Sequence, residues 1–293
     1  MRTAVGVVLD KTSENAKRFE RRPHASGRIL APAAAFAIVW NYFVVGWIAM
    51  HLSIAAAAVE DDFQPHVYRN AQQRELNYRL LVPQELKPGE KYPLVLFLHG
   101  AGERGSDNKA QLKHVVSIFV DPENRRRYPC FVLAPQCPSG EKWVDVNWFS
   151  KTHETPEKPA APMALVLEVI EQLCKDQPID SRRLYVIGLS MGGYGTWDLL
   201  VRKPEMFAAA VPICGGGDET KADKLVGLPI WCFHGDKDPA VPVARSRNMI
   251  EAIKKAGGAP KYTEYPGVGH DSWTPATKEA ELLPWLFGQN RGN

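Results

Sequence analysis

Short, nearly continuous apolar runs recur at residues 76–82, 93–98, 131–134, 184–189, 208–213, 230–233 and 262–265. Runs this short and this apolar predict strands buried on both faces. Between them the spacing changes. Leu165, Val166, Val169, Ile170 and Leu173 return every three or four positions, which predicts a helix with one buried face over 162–174. Helices are also expected over 111–119, 194–201, 243–253 and 278–287. Strands alternating with helices predict an α/β fold with a mainly parallel sheet covered on both faces. Residues 151–162 are polar and proline-rich and read as a surface loop. No internal repeat or long linker divides the rest, so residues 59–293 read as one domain.

Residues 1–58 follow a different pattern. No Asp, Glu, Lys or Arg occurs from Ile29 to Val59, and the run ends in the alanines at 55–58. Arginines precede it, and Glu60, Asp61 and Asp62 follow it. Positive charge before and negative charge after orients such a segment with its N-terminus in the cytoplasm. The alanines suit signal-peptidase cleavage near Ala58, while the 22 residues from Ile29 to Met50 are enough to span a bilayer. The segment is therefore read as a signal peptide or a membrane anchor. Both readings place the globular part outside the cytoplasm, periplasmic or extracellular, with any membrane contact made through this segment alone.

The 293 residues are 45% hydrophobic and 24% charged, which excludes wholesale disorder, collagen and a polytopic membrane protein. The net charge of +3 comes from the leader; residues 59–293 hold 29 basic and 30 acidic side chains. That balance gives no electrostatic case for nucleic acid. The cysteines are Cys130, Cys137, Cys174, Cys214 and Cys232, an odd number that leaves at least one thiol free. A strand between Cys130 and Cys137 would hold them roughly 23 Å apart, too far for a bridge. Their spacing suggests no zinc site, and buried inert thiols are the simplest expectation. Neither Gly-x-x-x-x-Gly-Lys nor His-Glu-x-x-His occurs, so no metal or other cofactor is expected.

Four stretches carry candidate chemistry. Gly188-Leu189-Ser190-Met191-Gly192 follows an apolar strand and precedes a helical pattern. That is the context of a nucleophile elbow, where a serine on a sharp turn needs glycine two positions away on either side. Upstream, the run ending at Leu98 leads into His99-Gly100-Ala101-Gly102. A glycine-rich turn there presents backbone N–H groups to a developing oxyanion. Ala101 is the expected donor, with Gly102 the near alternative and Met191 the second donor; His99 is expected to be structural. Further on, Asp236 and Asp238 follow the strand 230–233. Either can orient an imidazole, and Asp236 can instead cap its turn, so the two compete until the resemblance below favours Asp238. Finally, His270 lies on a glycine-containing loop and is the histidine that follows the acid, as the order Ser…Asp…His requires. Around these, Glu103, Arg104 and Asp107 are candidates to orient a polar substrate, and Trp143, Trp148 and Trp273 to line its pocket. Trp273, three residues from His270, is the strongest of the three.

With these stretches in order, the chain resembles the α/β-hydrolase superfamily. Within it, the chain resembles the secreted esterase group related to the catalytic domains of prolyl oligopeptidase and dienelactone hydrolase. The resemblance rests on Leu-His-Gly-Ala-Gly-Glu-Arg-Gly at 98–105, Gly-Leu-Ser-Met-Gly-Gly-Tyr-Gly-Thr-Trp at 188–197 and Pro-Ile-Cys-Gly-Gly-Gly at 212–217. His-Gly-x-x-Asp-x-x-Val-Pro at 234–242 and Gly-His-Asp-x-Trp at 269–273 complete it. It implies Ser190 as nucleophile, His270 as general base, Asp238 as orienting acid, and the Ala101 and Met191 N–H groups as oxyanion donors. Gly102, Arg104 and Trp273 are then the nearest candidates to touch substrate. No propeller-length domain precedes the fold, and the nucleophile is serine where dienelactone hydrolases use cysteine. Both departures favour a carboxylic-ester hydrolase working by an acyl-enzyme on small or polymer-borne esters, such as acetyl or feruloyl groups on polysaccharide. No insertion is long enough for a large lid. The alternatives are a serine peptidase of the prolyl oligopeptidase type and a non-catalytic binding protein on the same fold. The sequence leaves the oligomeric state open.

Overall fold

The computed structural model describes residues 59–292; the leader expected over 1–58 lies outside them. Eight strands form one sheet. In chain order they are β1 (Phe63–Arg69), β2 (Glu75–Leu81), β3 (Tyr92–Leu98), β4 (Phe131–Pro135), β5 (Ile179–Leu189), β6 (Ala209–Ile213), β7 (Trp231–Gly235) and β8 (Lys261–Tyr265). Across the sheet the order is β1-β2-β4-β3-β5-β6-β7-β8. β1 and β2 join antiparallel, and from β4 onward every pairing is parallel. This is an α/β-hydrolase fold.

Helices account for burial on both faces. On one side lie α3 (Ala161–Asp176), α4 (Met191–Arg202) and α5 (Ala244–Lys255). They pack Val166, Ile170, Trp197, Leu200 and Ile250 against Leu94, Leu96, Leu98 and Val186. The alternate strand residues Val95, Phe97, Tyr185 and Ile187 point the other way. There they meet Val115, Phe119, Leu282 and Leu286 from shorter elements. Those include α1 (Ser117–Val120), α2 (Pro122–Arg127), α6 (Trp273–Ala276) and α7 (Leu282–Phe287). Each central strand thus divides its side chains between two cores, which is why its sequence is apolar throughout rather than alternating. No element among the described residues forms a large lid, and no described helix is long and apolar enough to cross a membrane.

Two expectations need correction. The helix predicted over 111–119 is broken into 3-10 turns at Ala110–Leu112 and His114–Val116, followed by α1. His114 has φ 65°, a left-handed conformation that a helix cannot contain. The closing helix begins at Leu282 rather than 278. β1 went unpredicted because it is an edge strand whose side chains are mostly exposed or half-exposed. All five cysteines are free thiols; Cys174 is partly exposed and the other four are buried.

Candidate active site

β5 ends at Leu189 and α4 begins at Met191, leaving Ser190 alone on the turn. Its backbone has φ 54° and ψ −117°, well outside ordinary serine conformations. The turn is held by Ser190 N–H donating to Ile213 O at 2.9 Å and by Tyr194 N–H donating to Ser190 O at 3.0 Å. The flanking glycines are required by space. A Cβ on Gly188 would run into Gly192 O and Thr196 Oγ1, and one on Gly192 into the carbonyl of Leu98.

His270 and Asp238 reach this serine from the ends of β8 and β7. The two loops are laced together: Lys237 N–H donates to Val268 O at 2.9 Å, and Gly267 N–H donates to Asp236 Oδ1 at 2.6 Å. Asp236 is therefore occupied in tying the histidine loop to the acid loop. Gly267, with φ 76°, makes the turn that returns the chain toward the serine. Asp238 Oδ2 lies 2.7 Å from His270 Nδ1, and His270 Nε2 lies 2.9 Å from Ser190 Oγ. Because an ionised carboxylate only accepts, His270 Nδ1 carries the proton and Nε2 is left to accept from the serine.

Asp238 is built to stay charged. Burial would raise its pKa. Hydrogen bonds from His234 and His270, and from the N–H groups of Val241 and Ala240, outweigh burial and hold the carboxyl well below the usual carboxylate range. The Asp238 side chain has no exposed surface, whereas the His270 side chain is 27% exposed, so the reacting end of the line opens to solvent.

The other predicted residues divide clearly. Met191 is the first residue of α4, and Ala101 opens the 3-10 turn Ala101–Glu103. N–H groups at such positions have no acceptor within their own helix. His99 is buried beneath this turn and structural: its Nε2 accepts from Cys137 N–H at 2.9 Å, so Nδ1–H donates to Gly100 O at 2.6 Å. Burial lowers its pKa to about 4, keeping it neutral. Arg104 donates to Ala101 O at 2.9 Å, beside that turn, and lies 6.0 Å from the Trp148 ring centre. Gly102 is exposed there. Trp273 stands edge-on to His270, with ring centres 5.4 Å apart. Trp143, expected in the pocket, is fully buried and donates to His99 O at 3.0 Å, so it belongs to the core. Asp107 accepts from Lys109 N–H and Ala110 N–H, and Glu103 is buried beside His114. Both therefore have local structural partners.

Two residues without an assigned role in the sequence sit under the site. Cys214 offers a sulfur that, with one ligand atom each of Asp238 and His270, falls within a 4.8 Å span. Burial pushes the Cys214 thiol far up, and the other two are already bonded to each other. The grouping reads as a hydrogen-bonded Asp238–His270 pair with a protonated thiol beside it rather than a cation cage. His234, at 0% exposure, reaches the same Asp238 oxygen that His270 does, at 3.2 Å. Its sequence signal was its place in His-Gly-x-x-Asp, four residues before the acid.

The profile of a family described as phospholipase/carboxylesterase matches residues 85–281. Among solved structures, a thermostable esterase superposes with a TM-score of 0.73 at 43% identity, over 79% of this chain and 64% of that one. A probable carboxylesterase of Oryza sativa subsp. japonica is 24% identical over 191 residues, covering 60% of this chain and 70% of the relative. A bifunctional acetylxylan esterase/xylanase of Neocallimastix patriciarum is 27% identical over 236 residues, covering 77% of this chain and 32% of that protein. The chain belongs to the phospholipase/carboxylesterase family of α/β-hydrolases, enzymes of carboxylic-ester hydrolysis.

Proposed function

We propose that this protein hydrolyses carboxylic esters by two acyl transfers through Ser190. The observation that carries the reading is the continuous hydrogen-bonded line from Asp238 through His270 to Ser190, at 2.7 and 2.9 Å. In the first transfer Ser190 Oγ attacks the ester carbonyl and His270 Nε2 takes the hydroxyl proton. The oxyanion accepts from the N–H groups of Met191 and Ala101. His270 then returns the proton to the departing alkoxide, releasing the alcohol and leaving an acyl-serine. In the second, water attacks the acyl-serine while His270 takes its proton and passes it back to Ser190, releasing the acid. Asp238 keeps the imidazole in the tautomer both transfers need and stabilises the imidazolium formed in each.

The lack of a large lid among the described elements favours polymer-borne esters such as acetyl or feruloyl groups on polysaccharide, and the likeness to an acetylxylan esterase supports that substrate class. Gly102, Arg104 and Trp273 are the residues proposed to meet the substrate beyond the reacting atoms. The arginine-preceded apolar segment of the leader supports export or anchoring outside the cytoplasm. The test uses p-nitrophenyl acyl esters, feruloyl esters and peptide amides, with Ser190→Ala as blank. Ester turnover that vanishes in the variant, with little turnover of amides, is the expected result. Amide turnover comparable to ester turnover would move the protein to the peptidases, and activity surviving in Ser190→Ala would overturn the mechanism.

A further inference from the structure

The triad acid is bonded to two histidines. Asp238 Oδ1 accepts from the backbone N–H groups of Ala240 at 2.8 Å and Val241 at 2.9 Å. Oδ2 lies 2.7 Å from His270 Nδ1 and 3.2 Å from His234 Nε2. A carboxylate has about four acceptor sites, so these four contacts saturate it. The protonation of His234 follows from its other neighbours. Nε2 is also 3.0 Å from Val241 O, which can only accept, so Nε2 carries a hydrogen. On the far side of the ring, Nδ1 lies 2.7 Å from Ser246 Oγ, and that hydroxyl is 3.2 Å from Gly215 O. Both His234 and Ser246 are fully buried. The ring is thus held at Nδ1 by Ser246 of α5, itself bonded to Gly215 O, and at Nε2 by an N–H shared between Val241 O and the acid.

We propose that His234 is a positioning residue for the reaction. Its Nε2–H fixes Asp238 Oδ2 in the orientation that receives His270 Nδ1–H, extending the line Ser190–His270–Asp238 through His234 to Ser246. The inference rests on the triad reading above. Without His234, the buried carboxylate keeps two backbone donors on one oxygen and a single donor on the other. It is then freer to rotate away from His270 and, with one donor fewer, a stronger partner for the imidazolium. The first effect lowers kcat; the second strengthens the charge pair formed when the imidazole takes a proton in the reaction.

Other charged or titratable groups face this region from α4, α5, β8 and the end of β6. Burial keeps the Tyr194 phenol protonated, and it does the same for the Cys214 thiol. Glu264, the parallel partner of His234 across β7 and β8, is held ionised by Arg247, which lowers its pKa to about 2. None of these changes charge near neutral pH.

The experiment measures kcat, KM and the pH dependence of kcat/KM on a neutral p-nitrophenyl ester, with melting curves as the control for folding. His234→Leu is expected to lower kcat about 10- to 100-fold with KM nearly unchanged, and to move the acid limb upward by about half to one pH unit. His234→Gln, whose amide nitrogen takes the place of Nε2, is expected to restore most of the rate and the original limb. A His234→Leu enzyme with wild-type kcat and limb overturns the proposal. So does an equal loss in both variants with no shift of the limb, which would assign His234 to packing alone. Should His234→Leu not fold, Ser246→Ala releases the ring on its far side. It is expected to move the limb in the same direction by a smaller amount, and an unmoved limb overturns the proposal. Failure of the triad reading is separately visible as activity that persists in Ser190→Ala.

Discussion

The two aspartates that compete in the sequence are separated by what each oxygen touches. Asp236 accepts from Gly267 N–H and ties two loops, whereas Asp238 accepts from His270. Asp238→Asn should lower kcat on esters on the order of 10⁴-fold, because the amide allows the wrong imidazole tautomer. Asp236→Asn should cost under about tenfold in kcat while lowering the melting temperature, since an amide oxygen still accepts, more weakly, from Gly267 N–H. Parallel kinetics and melting curves on the two variants check both. That Ser190, Asp238 and His270 would meet was legible in the sequence because each follows an apolar strand and their order in the chain is the one expected of such a site. His234 was not. A histidine in a buried strand looks like any core polar residue until its ring nitrogens have named partners. Trp143 failed in the opposite sense: an aromatic beside a candidate site is more often core than lining, and only burial separates the two.

At the scale of the elements, the loops that carry Ala101, Ser190, Asp238 and His270 follow the C-terminal ends of β3, β5, β7 and β8. Parallel strands bring those ends to one edge of the sheet, where loops distant in sequence converge. The strands were readable because a buried parallel strand is apolar on both faces. The broken segment over 110–120 was not, because His114 adopts a positive φ that no pattern of apolar residues signals. At the elbow, strand and helix meet with no room for a side chain at Gly192, where a Cβ would strike Leu98 O. Gly192→Ala should therefore be insoluble or melt far below the parent, whereas Gly102→Ala, whose Cβ would meet nothing within 4 Å, should fold normally. Soluble yield and melting temperature of the pair distinguish a spatial requirement from a general intolerance of the glycine-rich turns.

Two histidines shape the pH dependence of stability for the whole molecule. Burial lowers the pKa of His99 to about 4. His153 is likewise lowered to about 4, by burial and by the adjacent Arg245 cation. In the unfolded chain both would titrate near the ordinary value of about 6.5. The unfolded state therefore binds more protons below that pH, and stability present above about 6.5 is lost as pH falls toward 4. Melting temperature should decline over that window, and less steeply in His153→Asn. Unchanged melting across the window would contradict the burial of these rings. Arg245 is itself buried, donating to Gly217 O at 2.8 Å, reaching Glu219 at 3.0 Å and anchoring the proline-rich loop through Lys151 O. Arg245→Ala should cost about 3 kcal/mol or more in denaturant unfolding, since it strands buried acceptors. That anchor was invisible in the sequence, because its partners lie 26 to 94 residues away along the chain.

The central claim is that Ser190 carries the acyl group. It is tested most directly by quenching the enzyme with acid milliseconds after mixing with a p-nitrophenyl ester, then weighing the intact protein and its peptides. A mass increase of one acyl group on the peptide containing Ser190, absent in Ser190→Ala, is the expected result. Rapid ester turnover with no acylated peptide, and with Ser190→Ala as active as the parent, would contradict it.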